Sequence, residues 1–237
     1  MDDKKITHFG VTVAPRTRGY KLTRDNYANV SNKSTLGKNM LFMMAIERND
    51  EKLINRYLSK YADKEGLIYN DEWCQKHLDN VMKNFDLNMA FFKRLNHDKF
   101  EAEITKFIRK TKFKEITDLS EYDCPGYYAM ILDEYCQVYI GTTENIKYRI
   151  RQHWYGGKLK FDRLVFGGVD NSKLSIDSFR SLDTTRILVY KTNNIYSEED
   201  NFINYFSNEF VCNRIGGGLM EFGALSIAAN TKTRDLE

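Results

Sequence analysis

Residues 126–154, GYYAMILDEYCQVYIGTTENIKYRIRQHW, form the stretch of the chain that best predicts its fold. Two runs rich in aromatic and β-branched residues flank a polar turn at Asp133 and Glu134, a pattern typical of an antiparallel hairpin. Folding the second run back onto the first brings Tyr128 to within a residue or two of the position opposite Tyr139. The sequence therefore predicts that two tyrosines lie close together in one sheet.

A helix is predicted directly after this hairpin, over about residues 144–155. Gly141 ends the second strand, and either Thr142 or Thr143 is expected to cap the helix. Apolar residues then recur at every fourth position and are expected to face the core: Ile146, Ile150 and Trp154.

Two polar residues of the same predicted helix, Arg149 and His153, are also four positions apart. Residues with this spacing share one stripe of a helix, here next to the apolar stripe. The stripe begins just after the strand that carries Tyr139. We therefore expect two tyrosines, an arginine and a histidine to converge on one face.

A second functional segment is predicted at residues 196–210, YSEEDNFINYFSNEF, with a helix over about 198–209. Ser197 and Asp200 fit a capping arrangement at its start. The helical phase points Glu199 toward the buried side and Glu198 sideways. A carboxylate on the buried side must be paired, protonated or bound to a cation, and a hard divalent ion with oxygen ligands would satisfy it. Asn213, just after this helix, is expected to anchor a phosphate or the local backbone.

The composition is that of a folded globular protein, since 42% of the 237 residues are apolar and 29% are charged. The first 120 residues carry 23 Lys and Arg against 17 Asp and Glu, and the remainder carry 13 against 16. A basic first half suits nucleic acid, although an ordinary solvated surface gives the same count. The start shows no secretory signal and the apolar run at 40–46 is too short to span a bilayer, so we expect an intracellular, cytoplasmic protein with no membrane partner.

The chain is predicted to be an α+β protein with two parts. Residues 1–118 are predicted to form a mainly helical, basic domain that serves DNA binding or dimerisation. Residues 119–237 read as a small mixed α/β domain that begins near the acidic stretch before Pro125. Residues 156–185 are longer than a minimal connection, and they form either an insertion that contacts DNA or only a longer loop.

The predicted cluster has the groups that phosphodiester hydrolysis requires. A guanidinium such as Arg149 stabilises the charge that develops on a phosphate under attack. A single Mg²⁺ held by a glutamate polarises the phosphoryl oxygen and stabilises the leaving group. A tyrosine hydroxyl near cationic groups accepts the proton of the attacking water, with His153 assisting.

In these residues the sequence resembles the GIY-YIG nucleases. Gly126-Tyr127-Tyr128 stands at the first motif of that family, and Tyr139-Ile140-Gly141 matches the second without change. The arginine and histidine of the family's helix correspond to Arg149 and His153. Its later glutamate corresponds to Glu199, and its closing asparagine to Asn213. The resemblance covers about residues 124–215, less than half of the chain.

The resemblance implies a three-stranded antiparallel sheet flanked by helices, and cleavage that uses one Mg²⁺ or Mn²⁺ ion. Tyr139 would then activate water with support from Tyr128, Arg149 would bind the scissile phosphate, and Glu199 would bind the metal. His153 would complete the proton network. The residues expected to bind without catalysing are Gly141, Thr142 and Asn213.

The substrate is less well determined than the chemistry. Thr142 stands where repair-type members tend to carry lysine, so a restriction, phage or mobile-element DNA endonuclease is favoured over a repair enzyme. The most favoured partner is double-stranded DNA, and a homodimer is attractive because a double-strand cut needs two active sites. The alternatives are a catalytically silent module that binds nucleic acid or protein, and an RNA-directed nuclease.

Overall fold

The computed structural model describes five ranges of the chain: residues 5–15, 19–30, 46–55, 71–155 and 166–213. Parts of the predicted helices before residue 71, the first ten residues of the predicted insertion and the glycine-rich run after Asn213 lie outside these ranges. None of the helices within the described ranges is long and apolar enough to cross a membrane.

The N-terminal part begins with a small hairpin and continues with helices. Strands β1 (Ile6–His8) and β2 (Val11–Val13) pair antiparallel across a turn at Phe9 and Gly10. Asn96 caps the last helix by accepting the N–H of Lys99, and basic residues close that helix, as its dipole favours. Three of the helices that follow the hairpin are α1 (Arg24–Val30), α2 (Asp71–Phe92) and α3 (His97–Lys110).

A four-stranded antiparallel sheet forms the second part. Its strands are β3 (Lys114–Ile116), β4 (Gly126–Leu132), β5 (Gln137–Thr143) and β6 (Arg186–Lys191), in the order β3-β6-β4-β5. The mixed α+β class is as predicted, but the expected three-stranded sheet is wrong. The additional strand is β3, which has only three residues and therefore leaves no readable alternation in the sequence.

The predicted hairpin is formed by β4 and β5. Tyr128 pairs with Gly141 and Met130 pairs with Tyr139, so the two tyrosines are offset by two positions, as predicted. All seven residues of β4 are buried, because this strand lies between β5 and β6 with both faces covered. The connection is longer than expected: a 3₁₀ turn at Asp133–Tyr135 leads to Cys136 in the left-handed region.

Helix α4 (Ile146–Tyr155) follows β5 and starts slightly later than predicted. Its cap is neither Thr142 nor Thr143. The Oδ1 atom of Asn145 accepts the N–H of Tyr148 at 2.8 Å, while the hydroxyl oxygen of Thr143 accepts the N–H of Asn145 at 3.1 Å. An Asn side chain satisfies a first-turn amide as well as a threonine does, so the chain enters the helix through two successive side-chain caps. The apolar stripe is buried as predicted: Ile146, Ile150 and Trp154.

The last helix, α5 (Glu199–Ile203), is shorter than the predicted helix over 198–209. Ser207 diverts the chain, because its N–H and its hydroxyl both donate to the carboxylate of Glu103 on α3, at 2.8 and 2.6 Å. A short 3₁₀ turn at Asn208–Phe210 then replaces the last helical turn. This bend lets the aromatic side chains of the segment pack against α3, as in the contact between Phe107 and Phe206 at 5.1 Å between ring centroids.

Candidate active site

Three of the predicted site residues meet where β4, β5 and α4 face one another. The hydroxyl of Tyr128 lies 2.9 Å from Nε2 of His153, and both side chains are buried. The ring of Tyr139 lies 4.9 Å from the imidazole and 6.0 Å from the ring of Tyr128, between centroids. Strands β4 and β5 and helix α4 therefore hold the Tyr128 hydroxyl and the Tyr139 ring against one imidazole.

Gly141 makes this arrangement possible by having no side chain. A Cβ atom at this position would lie 2.5 Å from the Tyr128 hydroxyl oxygen and 2.6 Å from Cζ. Such distances are well inside van der Waals contact, so the Tyr128 ring can lie across β5 only because residue 141 is glycine. Gly141, predicted to bind substrate, has a packing role in the structure.

Arg149 lies beside both tyrosines and is half-buried. Burial raises the pKa of Tyr139 to about 12, the positive charge of Arg149 opposes this rise, and the negative charge of Glu199 adds to it. Burial also raises the pKa of Tyr128 well above its usual value, together with the neighbouring Tyr139. At neutral pH both phenols are therefore protonated, and a guanidinium stands next to them.

Glu199 is half-buried at the start of α5 and faces the same place. Burial raises the pKa of its carboxyl, the neighbouring Asp200 adds to the rise, and Arg149 opposes it. A carboxylate that is partly desolvated, with Asp200 next to it, gains from a cation. The described ranges contain no group of three or more His, Cys, Asp and Glu side chains that could enclose a metal.

This donor set suits Mg²⁺ better than a metal that needs several protein ligands. Magnesium is commonly held by one or two carboxylates and completes its octahedron with water and substrate phosphate oxygens. Glu199 alone, next to an arginine suited to phosphate, fits that pattern, and Mn²⁺ accepts the same oxygen ligands.

Tyr127, the middle residue of the first motif, fixes the start of α5. Its fully buried hydroxyl oxygen accepts the N–H groups of Ser197 and Glu198, each at 3.1 Å. The predicted cap from Ser197 is therefore wrong, since the N-cap position of α5 has no side-chain cap hydrogen bond and the two amides are bound by Tyr127 instead. Tyr127 takes that function from the central strand and thereby sets where Glu199 lies.

The two remaining predicted binding residues contact the backbone. Asn213 accepts the N–H of Ile140 at 3.0 Å and donates to its carbonyl at 2.6 Å, which is the local anchoring expected as one of its two roles. The adjacent Cys212 N–H donates to the Val138 carbonyl at 2.9 Å. Thr142 accepts the N–H of Tyr196 at 3.4 Å. These contacts tie the chain on either side of α5 to β5.

The sequence analysis missed Asp177. This residue lies in a 3₁₀ turn (Ile176–Ser178), and its Oδ1 atom is 2.7 Å from Nδ1 of His153. It belongs to the segment 156–185, which was expected to be a DNA-contacting insertion or a loop. The only signal in the sequence is an aspartate between Ile176 and Ser178, which does not distinguish a site residue from a turn residue.

Comparison with protein-family models, with curated proteins and with solved structures gives no match to this chain. The resemblance to the GIY-YIG nucleases therefore rests on the motif residues and on the way that they are arranged.

Proposed function

We propose that this protein is a divalent-metal-dependent endonuclease that hydrolyses phosphodiester bonds of double-stranded DNA inside the cell. The observation that supports the proposal most is the gathering of five side chains at one edge of the sheet: Tyr128, Tyr139, Arg149, His153 and Glu199. These side chains come from two strands and two helices. Their order in the chain is also that of the nuclease family.

Arg149 is the residue suited to the scissile phosphate. Its guanidinium is always charged and presents paired N–H donors that match two phosphate oxygens. Arg149 belongs to α4 and its side chain is only half-buried, so part of the guanidinium remains open to a substrate. As a water attacks phosphorus, Arg149 stabilises the growing negative charge on the equatorial oxygens.

The tyrosines accept and pass on the proton of the attacking water. With a pKa of about 12, Tyr139 is a neutral phenol at physiological pH rather than a resident phenolate. It can therefore accept the water's proton only as it passes its own proton on. Tyr128 lies next to it, and its hydroxyl already contacts His153.

Glu199 would hold the metal ion, which when bound supplies Lewis-acid polarisation of the phosphate and stabilises the leaving oxygen. Asp200 lies next to it at the start of the helix, and Arg149 balances the charge. The function of Glu199 is thus separable from that of Glu198, whose backbone N–H is bound by Tyr127.

The proposal is tested by cleavage of supercoiled and linear duplex DNA in Mg²⁺ and in Mn²⁺ with matched variants. Glu199→Gln and Tyr139→Phe should each reduce the cleavage rate by about 10²- to 10⁴-fold with DNA binding retained. Glu198→Gln, one residue away, should cleave within about threefold of the wild type because its side chain caps nothing.

Three results would contradict the proposal. Equal loss in Glu199→Gln and Glu198→Gln would show that the segment matters only for folding. Wild-type protein that binds duplex DNA and cuts it in neither metal would favour a silent binding module. The same assay on RNA, with no DNA cleavage, would move the substrate to RNA.

A further inference from the structure

The imidazole of His153 lies in a continuous chain of polar groups. One ring nitrogen, Nε2, contacts the Tyr128 hydroxyl at 2.9 Å, and the other, Nδ1, contacts Oδ1 of Asp177 at 2.7 Å. The side chain of His153 is 3% exposed and that of Asp177 is 23% exposed. The histidine is therefore shielded from water, while the carboxylate lies at the edge of the site.

The carboxylate decides which nitrogen of the ring carries the proton. An ionised carboxylate only accepts hydrogen bonds, so the contact at 2.7 Å requires a proton on Nδ1. A neutral imidazole has one N–H, which leaves Nε2 as an acceptor. The Tyr128 hydroxyl must then donate to Nε2, and its oxygen lone pairs remain free to accept from the groups on its other side.

We infer that Asp177 is a positioning residue of the site: it holds His153 in the Nδ1–H tautomer, so that Nε2 is the final acceptor of the proton that leaves the attacking water. The inference rests on the proposed nuclease function. It assigns to the segment 156–185 a part in the chemistry rather than in DNA contact alone.

The proton of the attacking water reaches His153 through three successive transfers. The water oxygen forms a bond to phosphorus as its proton passes to the oxygen of Tyr139. Tyr139 gives its own proton to Tyr128, and Tyr128 gives its proton to Nε2 of His153, which becomes an imidazolium beside the Asp177 carboxylate. The bond between phosphorus and the leaving oxygen breaks, and the leaving oxygen takes a proton from solvent. His153 later releases its proton to solvent.

Burial favours this path over an isolated tyrosine base. Tyr128 is fully buried, and burial raises the pKa of both tyrosines. A buried phenolate is therefore costly, whereas an imidazolium paired with a carboxylate is stabilised by its partner. The negative charge of Asp177 also acts on Arg149 and on Tyr139, which places the carboxylate within electrostatic reach of the whole cluster.

The tautomer can be measured without any assay of activity. Long-range ¹H–¹⁵N correlation spectra of the full chain, at a pH where the ring is neutral, identify the protonated nitrogen of each of the four histidines. His153→Gln assigns the resonance. We expect Nδ1–H for His153 in the wild type and a gain of the Nε2–H form in Asp177→Asn, whose amide can donate to Nδ1.

Cleavage kinetics of Asp177 variants distinguish a positioning role of this residue from a role in folding. Asp177→Asn should lower kcat for duplex cleavage by about 10²- to 10⁴-fold with little change in KM or in DNA affinity. Asp177→Glu keeps the carboxylate and should recover at least about tenfold of that loss. Asp170→Asn is the matched control. Asp170 lies in the same segment, its side chain is 84% exposed and it pairs with the exposed Arg94, so this variant should match the wild type.

The inference is overturned if His153 has Nε2–H in the wild type, or if Asp177→Asn cleaves like the wild type. It is also overturned if Asp177→Asn loses DNA binding and thermal stability together while Asp177→Glu fares no better. A wild type that cleaves neither DNA nor RNA would sink the proposed function instead. The Nδ1–H tautomer would in that case still show that Asp177 sets the state of His153.

Discussion

The tyrosine hydroxyls of the site owe their properties to burial. A phenol that is largely removed from water resists ionisation, which is why the pKa of Tyr139 rises to about 12 despite the nearby Arg149. The geometry that produces this burial depends on Gly141, over which the Tyr128 ring lies. The second motif therefore contributes the hydroxyl of Tyr139 and, at Gly141, the room that the Tyr128 ring occupies.

Replacing Gly141 by alanine tests this role of the glycine. The added Cβ would lie 2.5 Å from the Tyr128 hydroxyl oxygen and 2.6 Å from Cζ, so the ring must move or the strands must separate. We expect a loss of about 1–3 kcal/mol in the free energy of unfolding, measured in urea, and slower cleavage because the hydroxyl moves away from His153.

The control for this substitution is Gly168→Ala, since the nearest atom to its added Cβ among the described residues is Oδ1 of Asn171 at 3.5 Å. Its free energy of unfolding should stay within about 0.5 kcal/mol of the wild type. A Gly141→Ala variant as stable and as active as this control would show that Tyr128 does not need the space.

The secondary-structure elements of the site are held together by hydrogen bonds that connect distant parts of the sequence. Tyr127 on β4 accepts two N–H groups at the start of α5, and Asn213 pairs with both backbone groups of Ile140 on β5. A five-residue helix has little stability of its own, so these contacts determine where it lies. Glu199 is thus positioned by a tyrosine that precedes it by more than seventy residues.

Tyr127→Phe is expected to disturb Glu199 without emptying the core. The ring stays in place, but two part-buried N–H groups lose their acceptor, and the two lost hydrogen bonds cost about 1–3 kcal/mol of stability. Because α5 then loses its anchor, we expect affinity for Mn²⁺ to fall by about 10- to 100-fold in a calorimetric titration, with cleavage restored in part by high metal concentration.

Tyr190→Phe is the matched control, because its ring stacks on Tyr127 while its hydroxyl makes only a 3.5 Å contact with Lys112. It should bind metal as the wild type does. If both variants bind metal equally, Tyr127 does not position Glu199.

The elements that could be predicted from the sequence are those whose signal is local. The aromatic and β-branched runs of β4 and β5 and the fourfold spacing in α4 are set by neighbouring residues, so the hairpin, its register to within two residues and the buried stripe could be predicted. Asp177 and Tyr127 could not be assigned, because their partners are 24 and 70 residues away and no local pattern in the sequence links a side chain to a partner at that separation. The cap at Asn145 was missed because the two threonines before it fit the same role equally well.

At the scale of the whole molecule, the N-terminal part and the sheet share one hydrophobic core. Strand β3 comes from residues assigned to the helical part and pairs with β6. Phe9 stacks near Trp154 of α4, and His8 contacts the Thr184 carbonyl at 3.0 Å. Phe107 of α3 touches several aromatic rings that follow the sheet. The N-terminal part therefore packs in the same core as the sheet that carries the site.

The fragment 119–237 tests this dependence. It lacks β3 and α3, so the edge of β6 and the aromatic cluster around Phe202 would be exposed to water. We expect no cooperative urea transition, weak dispersion of amide proton resonances and no cleavage. A fragment that unfolds with the same midpoint as the full chain would show that the nuclease part folds independently.

The central claim is that the five gathered side chains cut DNA with a divalent metal. The most direct test is a time course of supercoiled plasmid with the full chain, first in chelator and then after Mg²⁺ is added. The account predicts no cleavage in chelator and conversion to nicked or linear DNA once metal is present, with Tyr139→Phe inert under the same conditions. Plasmid that is bound but stays supercoiled in both Mg²⁺ and Mn²⁺, or cleavage that continues in chelator, would contradict it.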